Sequence, residues 1–436
     1  MVSSQLAGGA AQSPSSQSAY EELVREADED SEAFWAKEAS TLYWADWPPG
    51  ACAHGSTNFD PRSGPVHTRW FEGCTTNACY NALDFQLQLG RSEKTCFFWE
   101  GNEPGEQRTL SFGDAKANVC QLANHLRSQG IGKGDRVIIY LPMVPELPLA
   151  MLACARIGAV HSVVFGGFSS EALAQRILDC EPKIILTCSS VMRGNKRVEL
   201  KQIADDALSI CQQSEQAFES PCKTLVLFNN RASALEEVPF NPRSDQWWDE
   251  AIQDQPTEAP VEWVDAEHPL FILYTSGSTG KPKGVLHTTG GYLVWAATTY
   301  RLAFDHRESD TLWTTADCGW ITGHTYSVYG PMVNGASQVL YEGVPTHPTP
   351  ERIWQIVDKY RVSILYTAPT GIRSLQKAGD EYVKKTSRES LRILATVGEP
   401  IQEKAWRWFK DVVGDGRCPV VDTWFQVRCV QYLRGP

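Results

Sequence analysis

The chain has 436 residues, which is long enough for a large core and more than one folding unit. Acidic side chains outnumber lysine and arginine by 52 to 40, and the formal net charge of -12 argues against a nucleic-acid partner. The 13 cysteines form no C-x-x-C pair and the 9 histidines do not cluster with them, which argues against a zinc protein or a disulfide framework.

The N-terminal segment has no targeting features. Residues 1–19 are rich in serine, glycine and alanine, and we predict a disordered leader there. They contain neither the basic start nor the apolar run of a secretory signal. The longest uncharged apolar stretch, 147–155, is too short to span a bilayer. The sequence therefore predicts a cytoplasmic protein without a membrane partner, which leaves the nucleus open as a second compartment.

A regular alternation of strands and helices begins after the glycine-containing turn at 132–135. Short apolar runs predict buried strands, and apolar residues at helical spacing predict the helices between them. A further helix is expected to start at Ser169, whose side chain can cap it. The predicted strands are 136–142, 161–165, 183–188 and 224–228, and the other predicted helices are 145–158 and 196–213.

Residues 229–267 are polar and weakly periodic, and we interpret them as a connection rather than a domain. The alternation then resumes, and this spacing is typical of parallel, doubly wound sheets. The predicted fold class is therefore α/β, in two blocks of about 100–230 and 268–426 without a detectable sequence repeat. The second block has predicted strands at 271–275, 311–316, 364–369 and 392–398 and predicted helices at 291–304, 350–360 and 402–413.

The segment ILYTSGSTGKPKG, residues 272–284, passes from a buried strand into a loop of glycine, hydroxyl and lysine residues. It lacks the Gly-Lys-Ser/Thr ending of a P-loop, because Pro282 follows Lys281. Backbone N–H groups, hydroxyls and two lysines are nevertheless suited to holding phosphate oxygens. We predict that Lys281 and Lys283 lie on this loop and face a cleft. A flexible surface loop is the alternative.

The string YTSGSTGKPKG (274–284) resembles the signature of the adenylate-forming ligases, a family that includes the acyl-CoA synthetases. The resemblance extends over about residues 20–426 and implies an AMP-binding domain made of two stacked α/β subdomains. Further strings are similar to those of one branch, the AMP-forming acetate–CoA ligases: WEGNEPGE (99–106), MLACARIGAVHSVVFGGFSSEAL (151–173), ADCGWITGHTYSVYGP (316–331), LYTAPT (365–370), TVGEPI (396–401) and VDTWFQ (421–426).

The resemblance implies a two-step reaction with ATP, Mg²⁺, acetate and coenzyme A. Acetate attacks the α-phosphorus of ATP and releases pyrophosphate, and the coenzyme A thiol then displaces AMP from the acetyl-adenylate. Two anions must be brought together in the first step, so charge stabilisation and positioning dominate. By resemblance, ATP contacts fall on Thr275, Ser276, Gly277, Ser278, Thr279, Gly280, Lys281, Gly398, Glu399, Pro400, Asp422, Thr423, Trp424, Phe425 and Gln426.

Coenzyme A and acetate are also placed by the resemblance. The family has tryptophan where this chain has Phe425, and the smaller ring leaves room for one more methylene, worth about 1–3 kcal/mol. A propionyl-CoA synthetase is therefore the alternative activity. Coenzyme A contacts fall on Arg193, Gly194, Asn195, Lys196 and Thr322, although 193–196 also suit a solvated helix entry. The acetate pocket falls on Trp320, Ile321, Thr322, Val397 and Phe425, although such aromatic groups are more often core.

The resemblance ends at Gln426. The family string continues with threonine and glutamate, whereas this chain has Val427 and Arg428, and we interpret residues 427–436 as an aberrant tail. The family's catalytic lysine lies in a small C-terminal domain without a counterpart in these residues, so no catalytic residue and no metal ligand is assigned. The alternatives are an active acetate–CoA ligase and a catalytically inactive isoform or fragment.

Overall fold

The computed structural model describes residues 17–214, 222–227, 237–275 and 282–424. The strands are β1 (His54–Asn58), β2 (His67–Trp70), β3 (Thr75–Thr76), β4 (Thr95–Glu100), β5 (Gln107–Ser111), β6 (Arg136–Tyr140), β7 (Val160–Val163), β8 (Ile184–Cys188), β9 (Val191–Arg193), β10 (Lys196–Val198), β11 (Lys223–Leu227), β12 (Asp245–Trp247), β13 (Val264–Asp265), β14 (Pro269–Thr275), β15 (Lys283–Thr288), β16 (Thr311–Thr314), β17 (Ser337–Tyr341), β18 (Ile364–Thr367), β19 (Ile393–Val397) and β20 (Val420–Thr423).

The α-helices are α1 (Gln17–Glu29), α2 (Ser31–Ala39), α3 (Ala78–Ala82), α4 (Asp84–Gln88), α5 (Phe112–Ser128), α6 (Glu146–Arg156), α7 (Ser170–Cys180), α8 (Leu200–Gln212), α9 (Trp248–Ile252), α10 (Thr289–Ala303), α11 (Ile321–His324), α12 (Gly330–Val333), α13 (Arg352–Lys359), α14 (Pro369–Ala378), α15 (Asp380–Lys384) and α16 (Glu403–Trp408). A π-helical turn, Thr325–Tyr329, joins α11 to α12. Another π-helical turn, Phe409–Val413, follows α16.

Two seven-stranded sheets form the framework of the described residues. The first has the strand order β12–β11–β8–β6–β7–β14–β15, and the second has the order β20–β19–β18–β16–β17–β4–β5. In each sheet the strands are parallel except for one edge strand, β15 or β5, which pairs antiparallel with its neighbour. The predicted α/β class with doubly wound, mostly parallel sheets is confirmed.

The strands are distributed between the two sheets differently from the predicted division of the chain into two blocks. β4 and β5 come early in the sequence but belong to the second sheet, whereas β14 and β15 complete the first sheet. The predicted blocks of about 100–230 and 268–426 therefore do not correspond to one sheet each. The physical reason is that periodicity reports local strands, while the pairing of β4 with β17 depends on contacts between distant parts of the chain.

The helix predicted at 196–213 is wrong at its start. Lys196–Val198 form β10, which pairs antiparallel with β9, and α8 begins only at Leu200. The turn of this hairpin contains Gly194 with φ 61°, a backbone conformation that favours glycine. The helical periodicity is nevertheless real within α8, whose buried residues are Leu200, Lys201, Ala204, Ala207 and Cys211.

One hydrophobic core joins the two sheets, and a second lies on the outer face of the second sheet. Side chains of β18 alternate between them: Ile364 and Tyr366 belong to the shared core, and Leu365 packs in the outer one. β19 does the same, with Ala395 in the shared core and Leu394 in the outer one. Both faces of the second sheet are thus covered, as a doubly wound sheet requires.

A group of buried histidines predicts acid sensitivity of the fold. His161, His287 and His324 surround Phe271, with ring centroids 5.6, 4.5 and 4.6 Å from it. Burial lowers the pKa of His287 to about 4 and that of His324 to about 3, and it also lowers the pKa of His161. Because these rings are neutral in the fold but protonate near pH 6.5 when unfolded, stability is lost as the pH falls below 6.5. We expect a loss of about 2 kcal/mol per ring at pH 5.

The measurement is urea unfolding at pH 7.5 and pH 5.0. His287→Phe removes one titrating ring from a site that already contacts aromatic side chains, so it should reduce the pH-dependent loss by about 2 kcal/mol. His54→Phe, at an exposed position, is the matched control and should leave the loss unchanged. Equal pH dependence in His287→Phe and the parent protein would show that His287 does not contribute.

Candidate functional site

The carboxyl ends of the parallel strands define where a ligand would bind. In the second sheet the chain runs from β16 to β17 on one side, and through β18, β19 and β20 on the other. The strand order therefore reverses between β16 and β18, and sheets of this kind bind ligands outside the carboxyl ends at such a point. Thr315, which follows β16, donates a hydrogen bond to Thr367 of β18, with an Oγ1–Oγ1 distance of 2.7 Å. The first sheet reverses in the same way between β6 and β8.

The segment after β19 carries a carboxylate with fixed orientation. Gly398 has φ 98°, in the region that favours glycine, and the chain turns there away from the strand. Glu399 accepts hydrogen bonds from Thr370 Oγ1 and from Arg373 Nη2, the latter at 3.0 and 3.2 Å to its two oxygens. These contacts hold the pKa of Glu399 below its usual value, and the hydrogen bond from Thr370 has the largest effect. The carboxylate is therefore ionised and held beside the switch point.

Two partners of Glu399 were not predicted from the sequence. Thr370 and Arg373 lie one helical turn apart on α14, so both side chains reach the same side of the helix. Thr370 closes the LYTAPT string, but nothing in that string indicates that its hydroxyl contacts residue 399. Arg373 lies outside every string that resembles the family. Both contacts arise from the packing of α14 beside β19.

The end of β20 lies beside the segment that follows β19. Thr396 pairs with Asp422, and Val397 with Thr423, in the parallel register of the two strands. Thr396 Oγ1 donates a hydrogen bond to Asp422 Oδ1 at 2.6 Å. The buried Thr423 hydroxyl donates to the Thr396 carbonyl at 2.8 Å, so its side chain bonds within the sheet. The structure thus brings 398–400 together with Asp422 at one edge, while Trp424 is 69% exposed.

The predicted acetate-pocket residues follow β16 and β19, on either side of β18. Ile321 and Thr322 open helix α11 and are 5% and 8% exposed. Trp320 precedes the helix and is 53% exposed. Val397, at the end of β19, is 4% exposed and belongs to the same core as Ile321. The buried members form an apolar wall beneath the switch point, and the exposed indole lies at its edge.

Four of the five predicted coenzyme A residues, 193–196, belong to a tight hairpin that follows β8, whereas Thr322 lies on α11. Asn102 binds the hairpin turn through two hydrogen bonds: Gly194 N donates to its Oδ1 at 2.9 Å, and its Nδ2 donates to the Gly194 carbonyl at 3.1 Å. Asn195 and Lys196 are exposed at the tip. The alternative of a helix entry is wrong, because 191–198 is a β-hairpin. Asn102 was not predicted, although it lies in the WEGNEPGE string.

Arg193 connects the hairpin to the edge of the apolar wall. Its guanidinium lies over the Phe165 ring, 4.6 Å from the centroid, and the Phe165 and Trp320 centroids are 6.3 Å apart. Phe165 follows β7 of the first sheet, and Trp320 follows β16 of the second. The carboxyl edges of the two sheets therefore meet at these three side chains. Phe165 was not singled out from the sequence, although it lies in one of the matched strings.

The predicted phosphate loop is described only at its two ends. Thr275 ends β14 and pairs with Lys283, the first residue of β15. The prediction that Lys283 lies on the loop is therefore wrong, because backbone pairing with β14 includes it in the sheet. Several predicted ATP and acetate contacts lie outside the described residues: Ser276, Gly277, Ser278, Thr279, Gly280, Lys281, Phe425 and Gln426. Their placement remains a prediction.

Comparison with known proteins finds relatives along most of the chain. Residues 86–426 match the family model of AMP-binding enzymes, and residues 20–82 match the acetyl-coenzyme A synthetase N-terminus. The chloroplastic/glyoxysomal acetyl-coenzyme A synthetase of Arabidopsis thaliana is 53% identical over 423 residues, which are 97% of this chain and 56% of that protein. The acetyl-coenzyme A synthetase of Methylobacterium radiotolerans is 47% identical over 93% of this chain and 60% of its own length.

A third relative has a similar identity and coverage. The acetyl-coenzyme A synthetase of Rhizobium meliloti is 49% identical over 407 residues, 93% of this chain and 61% of that protein. The chain thus spans less than two thirds of the length of each of these relatives. The family match covers most of the chain, and it includes the edge formed by Glu399 and Asp422. The chain belongs to the family of AMP-binding enzymes.

Proposed function

We infer that this chain is the AMP-binding part of an acetate–CoA ligase that forms AMP. The observation that carries this proposal is the meeting of the two carboxyl edges, where Arg193, Phe165 and Trp320 are in contact. A ligase of this type must bring a nucleotide-activated acyl group to a thiol, and the site lies where elements of both sheets converge. The relatives named acetyl-coenzyme A synthetase support acetate as the acid.

The nucleotide is assigned to the edge of the second sheet. The adenine side would contact 398–400 and the end of β20, where Thr396 holds Asp422 and Arg373 holds Glu399. The loop after Thr275 would contact the phosphates, with Lys281 supplying charge. Mg²⁺ would enter as the counter-ion of the ATP phosphates.

The acyl group and the thiol are assigned to the neighbouring walls. The acetate pocket would be lined by Ile321, Thr322, Val397 and Phe425. Together they would offer a short acid an apolar surface at the switch point. The hairpin tip, with Asn195 and Lys196 exposed, would contact coenzyme A. Small molecules are the only partners in this proposal, and it assigns no oligomeric state.

We also propose a domain organisation and a cellular location for the chain. Residues 20–426 would form one AMP-binding domain, with 427–436 as an aberrant tail. The disorder predicted for 1–19 is wrong at its end, because α1 begins at Gln17. No helix in the part of the chain that the structure describes is long and apolar enough to cross a membrane. We propose a cytoplasmic location, with the nucleus as a second compartment.

The experiment is an assay of the natural full-length protein with ATP, acetate and coenzyme A. We expect acetyl-CoA, AMP and pyrophosphate in equal amounts. Glu399→Ala should raise the KM for ATP by about tenfold or more, because a charge-assisted hydrogen-bond network is lost from the nucleotide edge. Glu403→Ala removes an exposed carboxylate on α16 and is the matched control. Formation of ADP, or no acetate-dependent product, would contradict the proposal.

The choice of acid is predicted to depend on position 425. Phe425→Trp enlarges the ring, so the ratio of kcat/KM for propionate to that for acetate should fall by about 10–200-fold, the value of one methylene in an apolar pocket. Phe59→Trp makes the same change at a ring that is 75% exposed and should leave the ratio unchanged. A propionate-preferring parent protein would favour the propionyl-CoA alternative. An unchanged ratio in Phe425→Trp would remove this residue from the pocket.

A further inference from the structure

A carboxylate lies in the turn between β16 and α11, just before the acetate wall. Asp317 Oδ1 accepts a hydrogen bond from Gly319 N at 2.7 Å, and its carbonyl accepts one from Trp320 N at 3.0 Å. Gly323 packs so closely that a Cβ there would lie 2.2 Å from the Asp317 carbonyl oxygen. The backbone therefore fixes the carboxylate. Among the described residues, no hydrogen bond reaches Oδ2.

The same turn packs against Phe165, whose ring lies under the Arg193 guanidinium. A Cβ at Gly319 would lie 2.9 Å from Phe165 Cα, so the turn and Phe165 are in direct backbone contact. Arg193 lies on the Phe165 ring, and its charge acts on Asp317. The Arg193 Nε atom is buried without a hydrogen-bond partner in the described structure. Asp317 thus lies between the acetate wall and the hairpin assigned to coenzyme A.

The pKa of Asp317 differs from that of an ordinary aspartate. Burial raises its pKa to about 6, against the opposing effects of the Gly319 N–H group and of Arg193. The titratable and charged groups that face it are Arg193 on β9 and the adjacent thiol of Cys318. At pH 7 the carboxylate is the main form of Asp317. Its pKa is closer to the thiol pKa of about 8.5 than the pKa of an exposed aspartate is, so Asp317 is the stronger base.

We propose that Asp317 is the base that deprotonates the thiol of the coenzyme A substrate. The S–H proton passes to Asp317 Oδ2, and the thiolate sulfur attacks the acyl carbonyl carbon of the acyl-adenylate. The bond between that carbon and the phosphate oxygen then breaks, and AMP leaves with the electron pair. Asp317 returns its proton to solvent. This step rests on the proposed function, and it needs no reactant beyond the two substrates.

The competing role for Asp317 is purely structural, and one substitution separates the two. Asp317→Asn keeps an oxygen that accepts from Gly319 N, so it preserves the turn but removes the base. The assays use the natural full-length protein: acetate-dependent ATP–pyrophosphate exchange for adenylation, and acetyl transfer from chemically prepared acetyl-adenylate to coenzyme A for the thiol step. Asp60→Asn is the matched control, because Asp60 Oδ1 accepts from Arg62 N at 3.0 Å in a similar turn of the β1–β2 hairpin.

For Asp317→Asn we expect exchange within about twofold of the parent and acetyl transfer slower by about 10²-fold or more, as for loss of a general base. In the parent, the transfer rate should fall about tenfold per pH unit below pH 6, and this limb should be absent in Asp317→Asn. Equal losses in both assays would assign a structural role, and normal transfer would show that Asp317 is not the base. If the unsubstituted protein transfers acetyl groups from acetyl-adenylate but shows no ATP–pyrophosphate exchange, the proposed function is contradicted. The transfer assay then still tests Asp317.

Discussion

A polypeptide of residues 1–436 alone is expected to form acetyl-CoA at less than about one hundredth of the rate of the Arabidopsis relative. The chain spans 56% of that protein, and by resemblance the unmatched part carries the lysine that meets the developing charge in adenylation. Loss of one such electrostatic contact costs about 10²–10³-fold in kcat. By resemblance, Arg428 also replaces a glutamate of the family, and this change of charge is expected to lower the rate further.

The test compares the 436-residue polypeptide with a chimera. In the chimera, residues 1–426 are joined to the unmatched remainder of the Arabidopsis protein. The chimera should form acetyl-CoA, because the matched domain would then be completed by the part that supplies the missing charge. The isolated polypeptide should retain at most nucleotide or coenzyme A binding, which would support the alternative of an inactive isoform or fragment. Turnover by a monodisperse preparation of residues 1–436 would overturn this expectation.

Arg301→Leu is expected to destabilise the fold by about 3–5 kcal/mol. Arg301 on α10 forms a buried ion pair with Glu38 of α2, whose side chain is 2% exposed. Thr298 Oγ1 donates to the same carboxylate at 3.0 Å. Removing the guanidinium leaves a buried carboxylate with too few partners, and the cost of an unpaired buried charge exceeds that of any lost packing. Urea unfolding of the natural protein measures the change.

Two further variants give this prediction its controls. Arg25→Leu breaks a pair with Glu22 in which both side chains are more than half exposed, and it should leave stability nearly unchanged, because solvent screens an exposed pair. The double variant Glu38→Leu/Arg301→Leu removes both charges and should recover most of the loss, because an apolar pair suits a buried site. A double variant as unstable as Arg301→Leu would show that packing, rather than an unpaired charge, dominates.

Local periodicity predicted elements whose burial follows a regular pattern along the chain. The strand predicted at 183–188 is β8 (Ile184–Cys188), with all five residues buried, and the helix predicted at 350–360 contains α13. β4, β5 and β17 were not predicted. β4 enters the second sheet by pairing with β17, which lies far away in the sequence, and that information is not present in any short window.

For the site, the sequence predicted segments but not the contacts between them. The residues after β19 and at the end of β20 were each expected near the nucleotide, and the structure places them side by side. The side chains that hold them, such as Arg373, and those that join the two sheets, such as Phe165, carry no local signal. Lys283 shows the opposite error: its charge suggested a loop ligand, whereas its backbone pairs with Thr275. Chemistry follows from residue type, but position follows from tertiary packing.

The most direct test of the central claim uses acetate labelled with ¹⁸O in both carboxylate oxygens. The natural full-length protein is supplied with this acetate, ATP and coenzyme A, and the products are analysed by mass spectrometry. If the carboxylate attacks the α-phosphorus and the thiol then displaces AMP, one labelled oxygen must remain on the phosphate of AMP and the other in acetyl-CoA. Unlabelled AMP, or label in inorganic phosphate accompanied by ADP, would contradict activation through an acetyl-adenylate.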